Sequence, residues 1–203
     1  MNGFERMLKR AFDIVASFLG LILLSPIILY VYIRLKRQDD GPVIYRQERI
    51  GYKGKKFDIL KFRTMTTDSE QDGIPQLAEK DDNRLTPVGK FLREHHLDEL
   101  PQLWNVFVGD MSLVGPRPEV ERYVRLYTPE QRQVLSVRPG ITDWASIEYV
   151  DENVILGQAE DPDKAYIEQI MPDKIRYNMK WIKNQGIVEY FRIIFVTFWG
   201  ILR

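Results

Sequence analysis

The sequence predicts an α/β protein associated with a membrane. Three observations carry that expectation. An uncharged run from Ile14 to Ile33 is interrupted by Ser25-Pro26. Two short stretches rich in apolar and aromatic residues flank a Gly/Lys turn between Gly51 and Lys55. Segments of helical period follow, opened by Thr-Pro and Asp-Pro pairs. The chain has 203 residues, enough for one domain with a core plus a membrane element.

Taken first, the Ile14–Ile33 run is about 30 Å long as a single helix, the thickness of the hydrocarbon core. A plain span is one reading. Pro26 resists it, because proline removes a backbone donor and clashes with the preceding turn. The flanks resist it too, with Arg6, Lys9 and Arg10 before the run and Arg34, Lys36 and Arg37 after it. A simple span carries its basic residues on one side. A helix that enters the inner leaflet, bends at Ser25-Pro26 and returns accounts for both features, with Ser25 bonding a carbonyl freed by the break. Residues 1–38 are therefore read as a re-entrant membrane element and 39–203 as a domain on one membrane face.

Beyond the membrane element, Asp39-Asp40-Gly41-Pro42 is a turn, and Val43–Ile50 with Phe57–Phe62 reads as a β-hairpin. The Gly/Lys turn lacks the spacing and the Ser/Thr of a phosphate loop. Lys61 and Arg63 alternate with Phe62 at the end of the second strand and share a face. Residues 66–82 are polar and acidic, read as a surface loop. Thr86-Pro87 supplies an N-cap and first-turn proline for a helix that carries Arg93 near its end.

From Glu119 to Val137 the pattern is helical, with a break and restart at Thr128-Pro129-Glu130. Arg138-Pro139-Gly140-Ile141-Thr142 is a turn. Asp161-Pro162 caps a helix that Met171-Pro172 is expected to interrupt, and Asp173–Lys183 is helical again. The last segment, Ile187–Leu202, fits burial in the core or a place in the membrane interface equally well.

Composition excludes several chemistries. Lys+Arg and Asp+Glu both total 29, so the net charge is zero and nucleic acid is not an expected partner. No cysteine is present, which rules out thiolate metal sites and cysteine nucleophiles. The two histidines are neighbours, His95 and His96, so a histidine cage is excluded. They could act as bases or simply end a helix. No Ser-His-Asp or glycine-elbow pattern occurs.

What remains is Asp98-Glu99, set between leucines and followed by the rigid turn Gly115-Pro116-Arg117-Pro118. Alone, an Asp-Glu pair is commonly solvated surface charge. Paired carboxylates also suit Mg²⁺, which takes one or two carboxylates, waters and substrate phosphates. A carboxylate can attack phosphorus to give an acyl phosphate. Either role needs cations for the substrate's charge, and Lys61, Arg63, Arg93 and Arg117 are the candidates.

The ordered set of motifs resembles the small monotopic phosphoglycosyl transferases, the bacterial sugar transferase family. The shared features are the basic-flanked helix with Ser25-Pro26, Lys61-Phe62-Arg63-Thr64-Met65, Leu97-Asp98-Glu99-Leu100-Pro101-Gln102-Leu103, Gly109-Asp110-Met111-Ser112-Leu113-Val114-Gly115-Pro116-Arg117-Pro118 and Arg138-Pro139-Gly140-Ile141-Thr142. The resemblance covers residues 4–147 well and the rest weakly.

It implies an α/β catalytic domain with a re-entrant helix and amphipathic interfacial helices, on the cytosolic face of the bacterial inner membrane. It implies transfer of a sugar 1-phosphate from a UDP-sugar to polyprenyl (undecaprenyl) phosphate with release of UMP, the first membrane step of glycoconjugate or polysaccharide assembly. The implied course is ping-pong, with Asp98 as nucleophile and Glu99 helping to hold Mg²⁺. Lys61, Arg93 and Arg117 fall where the family's phosphate-binding and site-organising cations lie. No transmembrane bundle of the kind found in larger relatives precedes the domain, so the minimal form is expected.

Many members continue Pro-Gly-Ile-Thr with Gly-Trp-Ala-Gln. Here Asp143-Trp144-Ala145-Ser146 follows, so no nucleotide or sugar contact is assigned in 143–152. Two other classes compete: a non-catalytic membrane adaptor that binds lipid phosphate, and a metal-dependent phosphohydrolase that uses the same carboxylates with water.

Overall fold

The computed structural model describes residues 1–66 and 84–201. The expected acidic loop falls on 67–83 apart from Thr66 and so lies outside the described residues. Its two ends are pinned together, Thr66 N–H donating to the Arg84 carbonyl at 2.9 Å beside a Met65–Leu85 bridge.

The uncharged run folds as two helices, α1 (Gly3–Leu23) and α2 (Ser25–Lys36), which meet at Leu24 at an angle of 59°. Proline near the start of α2 cannot continue the α1 hydrogen-bond ladder, so a new helix begins there. Ser25 Oγ donates to the Ile22 carbonyl at 2.7 Å, the bond expected at the break. Neither helix alone is long and apolar enough to cross a membrane; the bent pair reaches that threshold by length and composition only. Phe18, Leu19, Ile22, Leu23, Leu29 and Tyr30 are all exposed on it.

α1 also packs against later elements of the chain. Asp13 is 2% exposed, although it borders the apolar run. It accepts from Tyr190 Oη at 2.7 Å, Leu113 N at 3.0 Å and Ser112 Oγ at 3.1 Å, and pairs with Lys9. A buried carboxylate needs such partners. Arg10 donates to the carbonyls of Val106 and Phe107 at 2.7 and 2.9 Å, at the carbonyl end of α4 (Gln102–Val108), where a cation is favourable.

The hairpin forms as expected. β1 (Ile44–Ile50) and β2 (Lys56–Phe62) pair antiparallel, with Ile44 opposite Phe62 and Ile50 opposite Lys56. Their turn places Lys53 and Gly54 at φ 57° and 74°, a left-handed geometry that suits glycine. The free edge of β2 is closed by a side chain: Asn105 accepts from Leu60 N at 3.0 Å and donates to the Asp58 carbonyl at 2.8 Å, mimicking a third strand.

α3 (Pro87–Glu94) starts at Thr86, whose Oγ1 accepts from Gly89 N at 2.9 Å. Gly89 lies so close to the strand that a Cβ would sit 1.9 Å from the Thr64 carbonyl oxygen. Phe62, Leu92, Val31, Leu35 and Val43 form a small core that joins α3 and the hairpin to α2.

A second, parallel pair joins β3 (Ser112–Val114) to β4 (Gly140–Thr142). Between them the Glu119–Val137 region gives only α5 (Glu121–Val124) and a 3-10 segment, Gln131–Ser136. The expected break is there, with Thr128 N–H donating to Gln131 Oε1 and Thr128 Oγ1 accepting from Gln131 N.

After β4 come α6 (Trp144–Glu148), α7 (Glu152–Gly157) and α8 (Pro162–Ala165). The expected interruption at Met171-Pro172 does not occur. The chain stays helical from Pro162 to Lys183, because a π turn over Tyr166–Ile170 runs into α9 (Met171–Lys183). The wider turn absorbs the donor that Pro172 lacks.

α10 (Ile187–Ile201) is buried along part of its surface, as the core reading expects, and exposed along the rest. Tyr190 and Ile193 are buried against Val114 and Trp181, while Phe195, Phe198 and Trp199 are exposed.

Candidate active site

The site is built where β2, α3 and α4 converge. His95 ends α3 and its Nδ1 lies 2.9 Å from the Phe91 carbonyl; His96 takes a left-handed φ of 54°. Both histidines therefore belong to the turn that stops α3, and His95 and His96 are exposed. The reversal carries the chain into a 3-10 turn, Leu97–Glu99, which presents Asp98 and Glu99.

Glu99 is clasped by two cations from distant parts of the chain. Lys61 Nζ lies 2.8 Å from Glu99 Oε1. Arg117 makes the planar fork expected of a guanidinium, Nη1 to Oε2 at 3.2 Å and Nη2 to Oε1. Burial would raise the Glu99 carboxyl, but Arg117 and Lys61 outweigh it and hold it well below the usual carboxylate range.

Asp98 behaves oppositely. It is 7% exposed and makes no hydrogen bond or ion pair among the described residues. Burial, and next the Glu99 charge, push its carboxyl up, against the pull of Lys61, Arg93 and Arg117. Two adjacent carboxylates are thus driven apart, one a fixed anion that holds cations and the other uncommitted.

Of the four expected cations, Lys61, Arg117 and Arg93 gather at the pair, Arg93 through its charge on Asp98. Arg63 is placed differently. It follows the last residue of β2, and its guanidinium is buried against Asp39, leaving Nε and Nη1 without a hydrogen-bond partner among the described residues. The alternation with Lys61 stops where the strand stops.

Two motifs read separately in the sequence form one unit. Ser112 N donates to the Pro139 carbonyl at 2.8 Å, Gly140 N to the Pro116 carbonyl at 3.0 Å and Gly115 N to the Thr142 carbonyl at 3.0 Å. A Cβ on Gly140 would lie 2.1 Å from Gly115 N, so the two loops touch only because both residues are glycine. Arg49 Nη1 donates to the Pro118 carbonyl at 3.1 Å, and Ile50 N to the Glu119 carbonyl at 2.9 Å. Arg117 is thereby held on a backbone braced from both sides.

Sequence reasoning missed three supporting residues. Asp143, 2% exposed, accepts from Arg117 N at 3.1 Å and caps α6 through Ser146 N at 2.6 Å. The Asp-x-x-Ser spacing was a readable N-cap signal. Asn105 aligns β2, and so Lys61, and no local pattern announces it. Asp13 was visible as a lone acid beside an apolar run.

As a metal site the pair is partial. Among the described residues no group of three or more acidic or histidine side chains converges. Glu99 has committed three of its roughly four lone-pair positions to Lys61 and Arg117, leaving about one. With the free Asp98 oxygens, that donor set fits a Mg²⁺ that takes its other ligands from water and phosphate.

The sequence matches the family described as bacterial sugar transferase over residues 4–203. It is 40% identical over 200 residues to a UDP-glucose:undecaprenyl-phosphate glucose-1-phosphate transferase of Klebsiella pneumoniae, across 97% of this chain and 40% of that relative. It is 39% identical to a UDP-N-acetylgalactosamine-undecaprenyl-phosphate N-acetylgalactosaminephosphotransferase of Aeromonas hydrophila, across 96% of this chain and 44% of that relative. To the exopolysaccharide production protein PSS of Rhizobium leguminosarum bv. phaseoli it is 37% identical, across 95% of this chain and 94% of that protein. The chain thus spans about two-fifths of the first two relatives and nearly all of the third.

Proposed function

This chain belongs to the bacterial sugar transferase family, and from that premise we propose that it transfers a sugar 1-phosphate from a UDP-sugar to polyprenyl phosphate, releasing UMP. The observation that carries the reading is Asp98, a carboxylate with no hydrogen bond among the described residues, beside a Glu99 already neutralised by Lys61 and Arg117. A free, burial-raised carboxylate is a nucleophile; a doubly paired one is a scaffold.

In the proposed course an Asp98 oxygen attacks the phosphorus that bears the sugar. A bond forms from that oxygen to phosphorus, and the bond to the UMP oxygen breaks, UMP leaving with the electron pair. A phosphate oxygen of the lipid then attacks the same phosphorus. The bond to Asp98 breaks, the carboxylate is restored, and a polyprenyl-diphosphate sugar results. Lys61, Arg93 and Arg117 offset the negative charge of the phosphates and align them, which is most of what phosphoryl transfer demands of a protein. Arg63, buried against Asp39, is left out of the phosphate-binding set. Glu99, through its remaining lone pair, and Asp98 would hold a Mg²⁺, which would supply additional charge neutralisation to the diphosphate.

The location proposed is the cytosolic face of the bacterial inner membrane, without a full crossing. The 59° bend, the Ser25 bond at the break and the exposed apolar side chains of α1, α2 and α10 support it. There the nucleophile meets a lipid phosphate at headgroup level and a donor from the cytosol.

The test is UMP release from a panel of UDP-sugars, with Mg²⁺ and polyprenyl phosphate, together with trapping of the phosphosugar on the protein. UMP and a sugar lipid are expected. No UMP with any donor would leave the adaptor reading, and free sugar phosphate without lipid product would favour the phosphohydrolase.

A further inference from the structure

Arg117, which pairs with Glu99, also lines a polar cleft. Its lining also includes Arg49, Glu119, Glu152, Tyr166 and Lys174. Its cavity volume is about 110 Å³, room for several water-sized polar groups.

Charged groups of both signs alternate around it. Lys174 Nζ pairs with Glu152 at 2.7 Å, the two side chains 10% and 22% exposed. Arg49 lies 3.7 Å from Glu119, which also accepts from Tyr166 Oη. Glu152 is close enough to Arg117 to act on its charge. Core packing does not call for four ionised groups, and ion pairs at this burial contribute little net stability.

The chemistry of the lining selects among the parts of a nucleotide sugar. Phosphates are disfavoured where Glu119 and Glu152 face the space. A pyrimidine needs a free aromatic face. The two tyrosines here are 3% and 2% exposed, and Tyr166 already has Tyr123 against it at 4.8 Å and Lys174 over it at 5.5 Å. Neutral hydroxyls fit best: each accepts from an ammonium or guanidinium and donates to a carboxylate.

We propose that this cleft binds the hydroxyl groups of the donor's sugar, and that the Glu152–Lys174 pair helps decide which sugar is accepted. Glu152 comes from the segment in which no sugar contact could be assigned from sequence. The inference rests on the transferase reading and deepens it.

Binding of UDP-sugars and of UMP, measured separately by calorimetry on the full chain in lipid nanodiscs, tests it. For Glu152→Gln and Lys174→Met, affinity for the preferred UDP-sugar should fall tenfold or more, while UMP affinity stays within twofold. An equal loss for UMP would assign the cleft to the nucleoside, and no change for either would make the pair purely structural; both outcomes overturn the proposal.

The charge-swapped double variant Glu152→Lys/Lys174→Glu guards against misfolding. A structural pair restores the wild-type sugar ranking when swapped, whereas a sugar-reading pair gives a folded protein with an altered ranking. Absence of UMP release by the wild type, with sugar-selective binding intact, would defeat the transferase reading alone.

Discussion

Asp143 Oδ2 accepts the backbone N–H of Arg117 at 3.1 Å, so a buried carboxylate 26 residues away fixes the peptide from which the site's guanidinium extends. Its other oxygen caps α6. Asp143→Ala should therefore do two things at once. Loss of the cap and of the Arg117 partner costs roughly 2 kcal/mol, a fall in Tm of about 4–8 °C. UMP release should drop at least tenfold, because Arg117 loses its aim. Calorimetry and a turnover assay check both; a stability loss with full turnover would reduce Asp143 to a helix cap.

Asp98→Asn is expected to abolish turnover and the trapped phosphosugar, and also to stabilise the fold. The sign follows from linkage. The folded-state pKa of Asp98 is raised, so its favourable contribution is complete below the unfolded pKa and is lost as pH rises through the folded one. At neutral pH the ionised group is a cost that asparagine removes. Thermal unfolding at pH 7 should show a higher Tm for the variant; an unchanged or lower Tm would contradict the burial argument.

The activity profile should carry an acid limb set by Asp98 and displaced above the ordinary aspartate range. Arg93 is one of the cations that lower this group. Arg93→Gln should therefore move the limb to higher pH as well as weaken donor binding. Measuring kcat/KM against pH for both proteins checks this, and an unmoved limb would place Arg93 outside the site's field.

Glu99 has the reverse linkage. Its depressed folded-state pKa contributes stability that is present above the unfolded value and lost as pH falls through the folded one. Glu99→Gln leaves Lys61 and Arg117 without their shared anion, at a cost of roughly 1–3 kcal/mol for groups that keep some solvent access. Turnover should fall at least a hundredfold, with a higher Mg²⁺ requirement. An unchanged Mg²⁺ dependence would remove Glu99 from metal binding.

The membrane reading is open to chemical labelling, since the chain has no cysteine. Single cysteines at Asn2 and Gln38, either side of the bent pair, should both react only from the cytosolic side. With Pro26→Leu the break loses its cause, and one flank should become reachable from outside. External labelling of either flank in the parent would rule out re-entry.

Much of this molecule is written locally. Pro26 and Ser25 determine the helix break, because a missing donor and a hydroxyl act within one turn. Gly51–Lys55 determines the hairpin, and Thr86-Pro87 the start of α3. The nearness of Asp98 to Glu99 is covalent, and the ordered motifs identify the family. Local pattern failed where a neighbouring element intervened: Pro172 leaves its helix unbroken because a π turn precedes it, and α10 is both core and surface.

The opposite destinies of two adjacent carboxylates were not legible. Lys61, 38 residues before Glu99, and Arg117, 18 after it, both bond to Glu99 rather than to Asp98. Arg63 shares an alternation with Lys61 yet pairs with Asp39, because β2 ends between them. Residue type and spacing determine which groups are available. Charge, burial and hydrogen bonding between distant segments exist only once the chain has closed, and they decide which group is held and which is left to react.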